Sequence, residues 1–79
     1  MDVAELLMDR MPEIADTIDS MRADGGSPDR IYVHGPVPGR VAGDLVVLGC
    51  EVWAAPGVPT DRVVVVSWGH MTRPPWRAA

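Results

Sequence analysis

Phenylalanine and lysine are absent from this 79-residue chain, and it has one cysteine. The lone Cys50 excludes an internal disulfide, and with only two histidines the donor set falls short of a structural zinc site. A single free thiol fits a reducing, intracellular setting. No apolar run approaches the ~18 residues of a transmembrane helix, and the first residues carry acids where a signal peptide needs basic ones. The expectation is a soluble, unexported, cytoplasmic protein. The seven basic residues are all arginine, a pattern that fits a high-GC coding bias. Net charge is −4, which disfavours a nucleic-acid partner because the phosphate backbone needs clustered cations. The segment Gly35-Pro36-Val37-Pro38-Gly39 has neither the glycine spacing nor the lysine of a phosphate loop.

What is present begins with an amphipathic helix over about residues 3–23. At about 100° per residue, Ala4, Leu7, Met11, Ile14, Ile18 and Met21 fall on one line, and Asp2, Glu5, Asp9, Glu13 and Asp16 on the opposite one. Asp2 and Glu5 have capping-box spacing, and Gly25-Gly26 supplies a left-handed stop. Pro12 lacks the donor for the Met8 carbonyl, so a kink near Pro12, or two helices meeting at residues 10–12, is expected. Charge is polarised: residues 1–29 carry a net of −6 and residues 30–79 a net of +2.

Arg30-Ile31-Tyr32-Val33-His34 alternates and is rich in β-branched and aromatic residues, which predicts a strand. Residues 40–48 favour a strand over a short crossover helix. Cys50 to Ala54 and Arg62 to Trp68 predict two strands, and the turn formers of residues 56–61 join them as a hairpin. Val63 to Val66 has no polar alternation, which predicts a central strand. The fold expected is α+β: one helix on a small, mainly antiparallel sheet of three to four strands, forming a single domain over 1–68 with a basic Pro/Trp tail at 69–79.

No catalytic, cofactor or metal site is expected, and the chain reads as no enzyme. A Ser67/His70/Asp set lacks a nucleophile elbow, and Cys50 in an apolar strand reads as a small core residue. The candidate partner-binding residues are Glu5, Asp9, Glu13 and Asp16 on the acidic stripe, which has almost no compensating cation in sequence, and Trp53, Trp68, Trp76 and Arg77. Tryptophan and arginine dominate binding hot spots, and Trp53 shares a strand face with Glu51, opposite Cys50, Val52 and Ala54.

The stretch Leu48-Gly49-Cys50-Glu51-Val52-Trp53-Ala54-Ala55-Pro56-Gly57-Val58-Pro59-Thr60-Asp61-Arg62-Val63-Val64-Val65 resembles a hairpin common in bacteriophage proteins, including those near the C-terminal end of HK97-type major capsid proteins. That resemblance implies a phage or mobile-element origin and transfers no functional residue. The expected function is a phage-encoded protein-binding module that blocks a host protein, in the manner of anti-defence or anti-CRISPR inhibitors. A self-associating virion or assembly component and a regulatory domain of a larger enzyme complex are the other two readings. The expected partners are a host or virion protein, with a homodimer possible, and neither nucleic acid nor membrane.

Overall fold

The computed structural model describes residues 3–41 and 45–67. The expectations placed on Asp2, Asp44, Trp68, His70, Trp76, Arg77 and the 69–79 tail lie outside the described residues. The fold is α+β. Among the described residues two helices, α1 (Val3–Asp9) and α2 (Met11–Ala23), precede five strands: β1 (Arg30–His34), β2 (Gly39–Arg40), β3 (Val46–Val47), β4 (Cys50–Ala55) and β5 (Val63–Val66).

Pro12 divides the helical segment as its chemistry requires. Arg10 leaves helical geometry at φ −96° and ψ 6°, and Pro12 falls in the first turn of α2, where a missing N–H is tolerated. The break is one residue wide: the Arg10 N–H still donates to the Leu6 carbonyl at 3.0 Å and the Ile14 N–H to the Arg10 carbonyl at 2.9 Å. That break shifts the phase of the apolar line. α1 buries Leu6 and Leu7, and Ala4, expected on the buried line, is exposed. α2 keeps the expected face, with Ile14 and Ile18 buried. At its end Gly25 takes φ +85°, the Gly26 N–H donates to the Met21 carbonyl and the Gly25 N–H to the Arg22 carbonyl. This is the two-bond glycine cap anticipated from Gly25-Gly26.

The sheet is mixed, in the order β2-β4-β1-β5, with β3 also on β4. Three of its four pairings are antiparallel, and β1 and β4 run parallel, with Tyr32 opposite Trp53. Two expectations are corrected here. β4 and β5 do not form a hairpin, because β1 lies between them, and among the described residues β5 is an edge strand rather than a central one. The cause is burial. Ile31, Tyr32 and Val33 are buried in succession, which β1 achieves only with a strand on each side and cover on each face. The connection over residues 56–62 is long enough to step across one strand, a distance of about 10 Å, and its prolines and Gly57 end strands without choosing their neighbours. The hairpin that does form joins β3 to β4 through Leu48-Gly49, at φ +51° and +83°. Both angles positive is the turn whose twist matches a two-residue hairpin.

The helices close one face of the sheet. Leu6, Leu7, Ile14 and Ile18 pack with Ile31, Val33, Cys50 and Val52, and Val63 and Val65 of β5 join them. Ile14 is wholly buried, so Ile14→Ala should cost roughly 2–5 kcal/mol, comparable with the whole stability of about 3–5 kcal/mol expected for an unstapled domain of this size. Met8 is 74% exposed, and Met8→Ala should change stability by no more than about 0.5 kcal/mol. Thermal melts of the two variants check this; equal melting temperatures would contradict the packing of α2 on the sheet.

Candidate protein-binding surface

Strand parity builds the opposite face of the sheet as two rows. One row runs Val46, Glu51, Arg30, Val66; the next runs Arg40, Trp53, Tyr32, Val64. Trp53 therefore lies on the outer face with Glu51, as its alternation with Cys50 and Val52 predicts. Its indole is held on two sides. The Arg30 guanidinium stacks over the ring at 4.0 Å from the centroid, and Trp53 Nε1 donates to Glu51 Oε1 at 3.0 Å. Glu51 also meets Arg40 at 3.6 Å, and Arg30 donates to the Tyr32 hydroxyl at 3.0 Å. A tryptophan locked in this way loses little rotamer entropy on contact with a partner.

Part of this face is covered by the chain itself. Val58, from the connection between β4 and β5, is 1% exposed and packs with Tyr32, Ala55 and Val66, with Trp53 and Val64 at the margin. His34 secures that connection by donating from Nδ1 to the Val58 carbonyl at 2.8 Å. Among the described residues the exposed apolar part of this face lies toward β3. Val46 is 53% and Leu48 49% exposed, and Leu48 sits in the left-handed region that side chains disfavour. An apolar residue exposed in a strained backbone gains nothing for the fold at that position.

Glu5, Asp9, Glu13 and Asp16 are all exposed. The stripe is nonetheless less bare of cations than its sequence suggests. Arg10, in the break between the helices, lies 3.8 Å from Asp9 and 3.7 Å from Glu13, and donates to the Asp61 carbonyl at 3.1 Å. The helix break thus turns one arginine into the link between the acidic stripe and the loop before β5. Such exposed pairs contribute under about 1 kcal/mol each, so Arg10 offsets the charge of the stripe only locally.

The polar groups weighed as chemistry are used in structure. Cys50 is fully buried on the helix side, and its thiol donates weakly to the Pro28 carbonyl at 3.6 Å. His34 stands opposite Ala55, at the other end of β4 and on the other face. Ser67 Oγ accepts the Ser27 N–H at 3.1 Å. Among the described residues no three histidine, cysteine or acidic side chains are grouped to hold a metal, and no helix is long and apolar enough to cross a membrane. The residues of this face that sequence reasoning missed are Arg30, Arg40, Val46 and Leu48. The parity of Arg30 with Tyr32 was visible, but it acquires meaning only once β1 is known to lie beside β4.

Burial raises the Cys50 thiol above its ordinary pKa, with Arg22 pulling the other way and Asp29 adding to the rise. Thiol reagents should therefore modify the native protein far more slowly than the unfolded chain. Stability should fall as pH climbs past the ordinary thiol range, because the unfolded chain ionises there first. Labelling rates measured with and without denaturant check the first point; equal rates would place the thiol at the surface. No family model, curated protein or solved structure matches this chain.

Proposed function

We propose that this chain is a non-catalytic protein-binding module that works by occupying a partner's surface with the β3–β4 side of its outer sheet face. One observation carries the reading. Leu48 is held exposed at φ +51° in the β3–β4 turn, two residues after half-exposed Val46, and the strand that follows the turn carries the braced Trp53. A position of this kind favours asparagine or glycine for stability, so a leucine there is explained by contact with something outside the chain. Trp53 with Arg30 and Arg40 beside it supplies the aromatic and guanidinium anchors that concentrate binding energy. The partner class we propose is a host protein blocked stoichiometrically, with a phage or mobile-element origin as the setting. Because β4 and β5 do not pair, the hairpin likeness lends this reading no geometric support, and the surface alone supports it.

Leu48→Asn separates binding from folding, since an Asn-Gly turn suits the hairpin and removes the apolar side chain. The variant should be more stable by about 1 kcal/mol and bind its partner at least about tenfold more weakly. Trp53→Ala should also lose binding, whereas amide replacement of Glu5, Asp9, Glu13 and Asp16 should alter only its salt dependence. The check is isolation of the protein retained by the wild type from host lysate, followed by titration of each variant. Undiminished binding by Leu48→Asn and Trp53→Ala would refute this surface; loss confined to the amide variant would move the site to the helices.

A further inference from the structure

The end of α2 carries a chemistry of its own. Asp24 alone among the aspartates of the chain precedes a glycine, and the chain has no asparagine. An aspartate in that position can react with its own backbone. The glycine nitrogen attacks the protonated side-chain Cγ, a C–N bond forms, and the carboxyl hydroxyl leaves with the amide proton as water. Water then opens the five-membered imide at either carbonyl, which restores aspartate or leaves isoaspartate, whose main chain runs through the former side chain. The two steps release and consume one water and need no oxidant or cofactor. Glycine favours the attack because it has no side chain to shield its nitrogen. Gly25 adds open space to that: a Cβ placed on it would meet nothing within 4 Å, and Asp24 and Gly25 are both exposed.

We propose that the Asp24-Gly25 linkage is a site of spontaneous isomerisation, and that opening of the α2 cap sets its rate. The inference is independent of the Trp53 surface, because it rests on one peptide linkage at the end of the helix. Backbone geometry supplies the gate. At ψ 6° the Gly25 nitrogen eclipses the Asp24 nitrogen, whereas the five-membered ring needs it beside the Asp24 Cβ. Ring closure therefore requires rotation about the Asp24 Cα–C bond. That rotation swings the Gly25 N–H off the Arg22 carbonyl, which it meets at 3.0 Å, and the Gly26 N–H off the Met21 carbonyl, at 2.8 Å. A third tie lies just beyond, where the Ser27 N–H donates to Ser67 Oγ at 3.1 Å and holds the segment after the cap to the end of β5. Folding thus protects the linkage, and the reaction proceeds through fraying of the helix end, which opens more often than the whole domain unfolds. The product is not neutral for the fold. Isoaspartate adds one backbone atom between the Asp24 Cα and the Gly25 nitrogen, so the two cap bonds cannot re-form in their present register. The loss falls on the helix that buries Ile14 and Ile18.

The test is prolonged incubation of the full chain at neutral pH, well below its melting temperature, in buffer and in denaturant. Isoaspartate is read by methyl labelling with an isoaspartyl methyltransferase and located by peptide mapping; the imide shows as the loss of one water. In denaturant the wild type should label at Asp24 ahead of every other aspartate. In buffer the same position should label at least about tenfold more slowly. Ser67→Ala removes the acceptor of the Ser27 N–H and should quicken labelling in buffer by about twofold or more, with the denatured rate unchanged. Asp24→Glu keeps the charge but would need a six-membered ring, so labelling at that position should vanish. Aged wild type should melt below fresh protein, and the Asp24→Glu variant should melt alike before and after ageing. Labelling led by another aspartate in denaturant overturns the site. Equal rates in buffer and denaturant, or equal rates for Ser67→Ala and wild type in buffer, overturn control by the cap.

Discussion

The whole arrangement depends on burying β1. Ile31 and Val33 point to the helices and Tyr32 to the other face, and all three are at or below 5% exposed. A strand so placed needs a neighbour on each edge and cover on each side. β4 and β5 supply the edges, α1 and α2 one cover, and Val58 part of the other. The two edge partners are tied in turn to the ends of β1: the Asp29 N–H donates to the Val66 carbonyl, the Glu51 N–H to the Asp29 carbonyl, and the Gly35 N–H to the Ala55 carbonyl. Gly35 itself has no room for a side chain, since a Cβ there would lie 2.6 Å from that of Ala54.

From that centre outward the two faces of the sheet differ in kind. The helix face is apolar throughout and closes on itself. The outer face mixes tryptophan, tyrosine, arginine and glutamate in a braced lattice, and its β3 margin leaves Val46 and Leu48 in solvent. A small domain with only a few kcal/mol of net stability has little tolerance for strain without use. Leu48 is where local preference and observed residue disagree most clearly, and such disagreements concentrate at functional positions.

The legible parts of the sequence were those governed by local chemistry. The proline break at residues 10–12, the glycine cap after α2, the strand at residues 30–34 and the placement of Trp53 with Glu51 all follow from spacing and parity within one segment. Strand partnership did not follow, because valine runs and proline-rich turns are equally compatible with a hairpin and with a step over an intervening strand. The two-residue Leu48-Gly49 turn stayed hidden because leucine is not a residue that marks positive φ. The acidic stripe was read correctly as exposed, yet its counter-charge was missed, since Arg10 reaches Asp9, Glu13 and the Asp61 carbonyl only because the helix breaks beneath it. The candidate surface was therefore half legible: Trp53 could be named, but its bracing arginines belong to strands whose adjacency is a property of the fold.

The most direct test of this account is the set of cross-strand nuclear Overhauser contacts around Tyr32. With β1 in the centre, the Tyr32 backbone should show contacts to Trp53 on one side in a parallel pattern and to Val64 on the other in an antiparallel one. Direct backbone contacts between residues of Cys50–Ala55 and Val63–Val66, with Tyr32 at an edge, would contradict it and restore the simple hairpin.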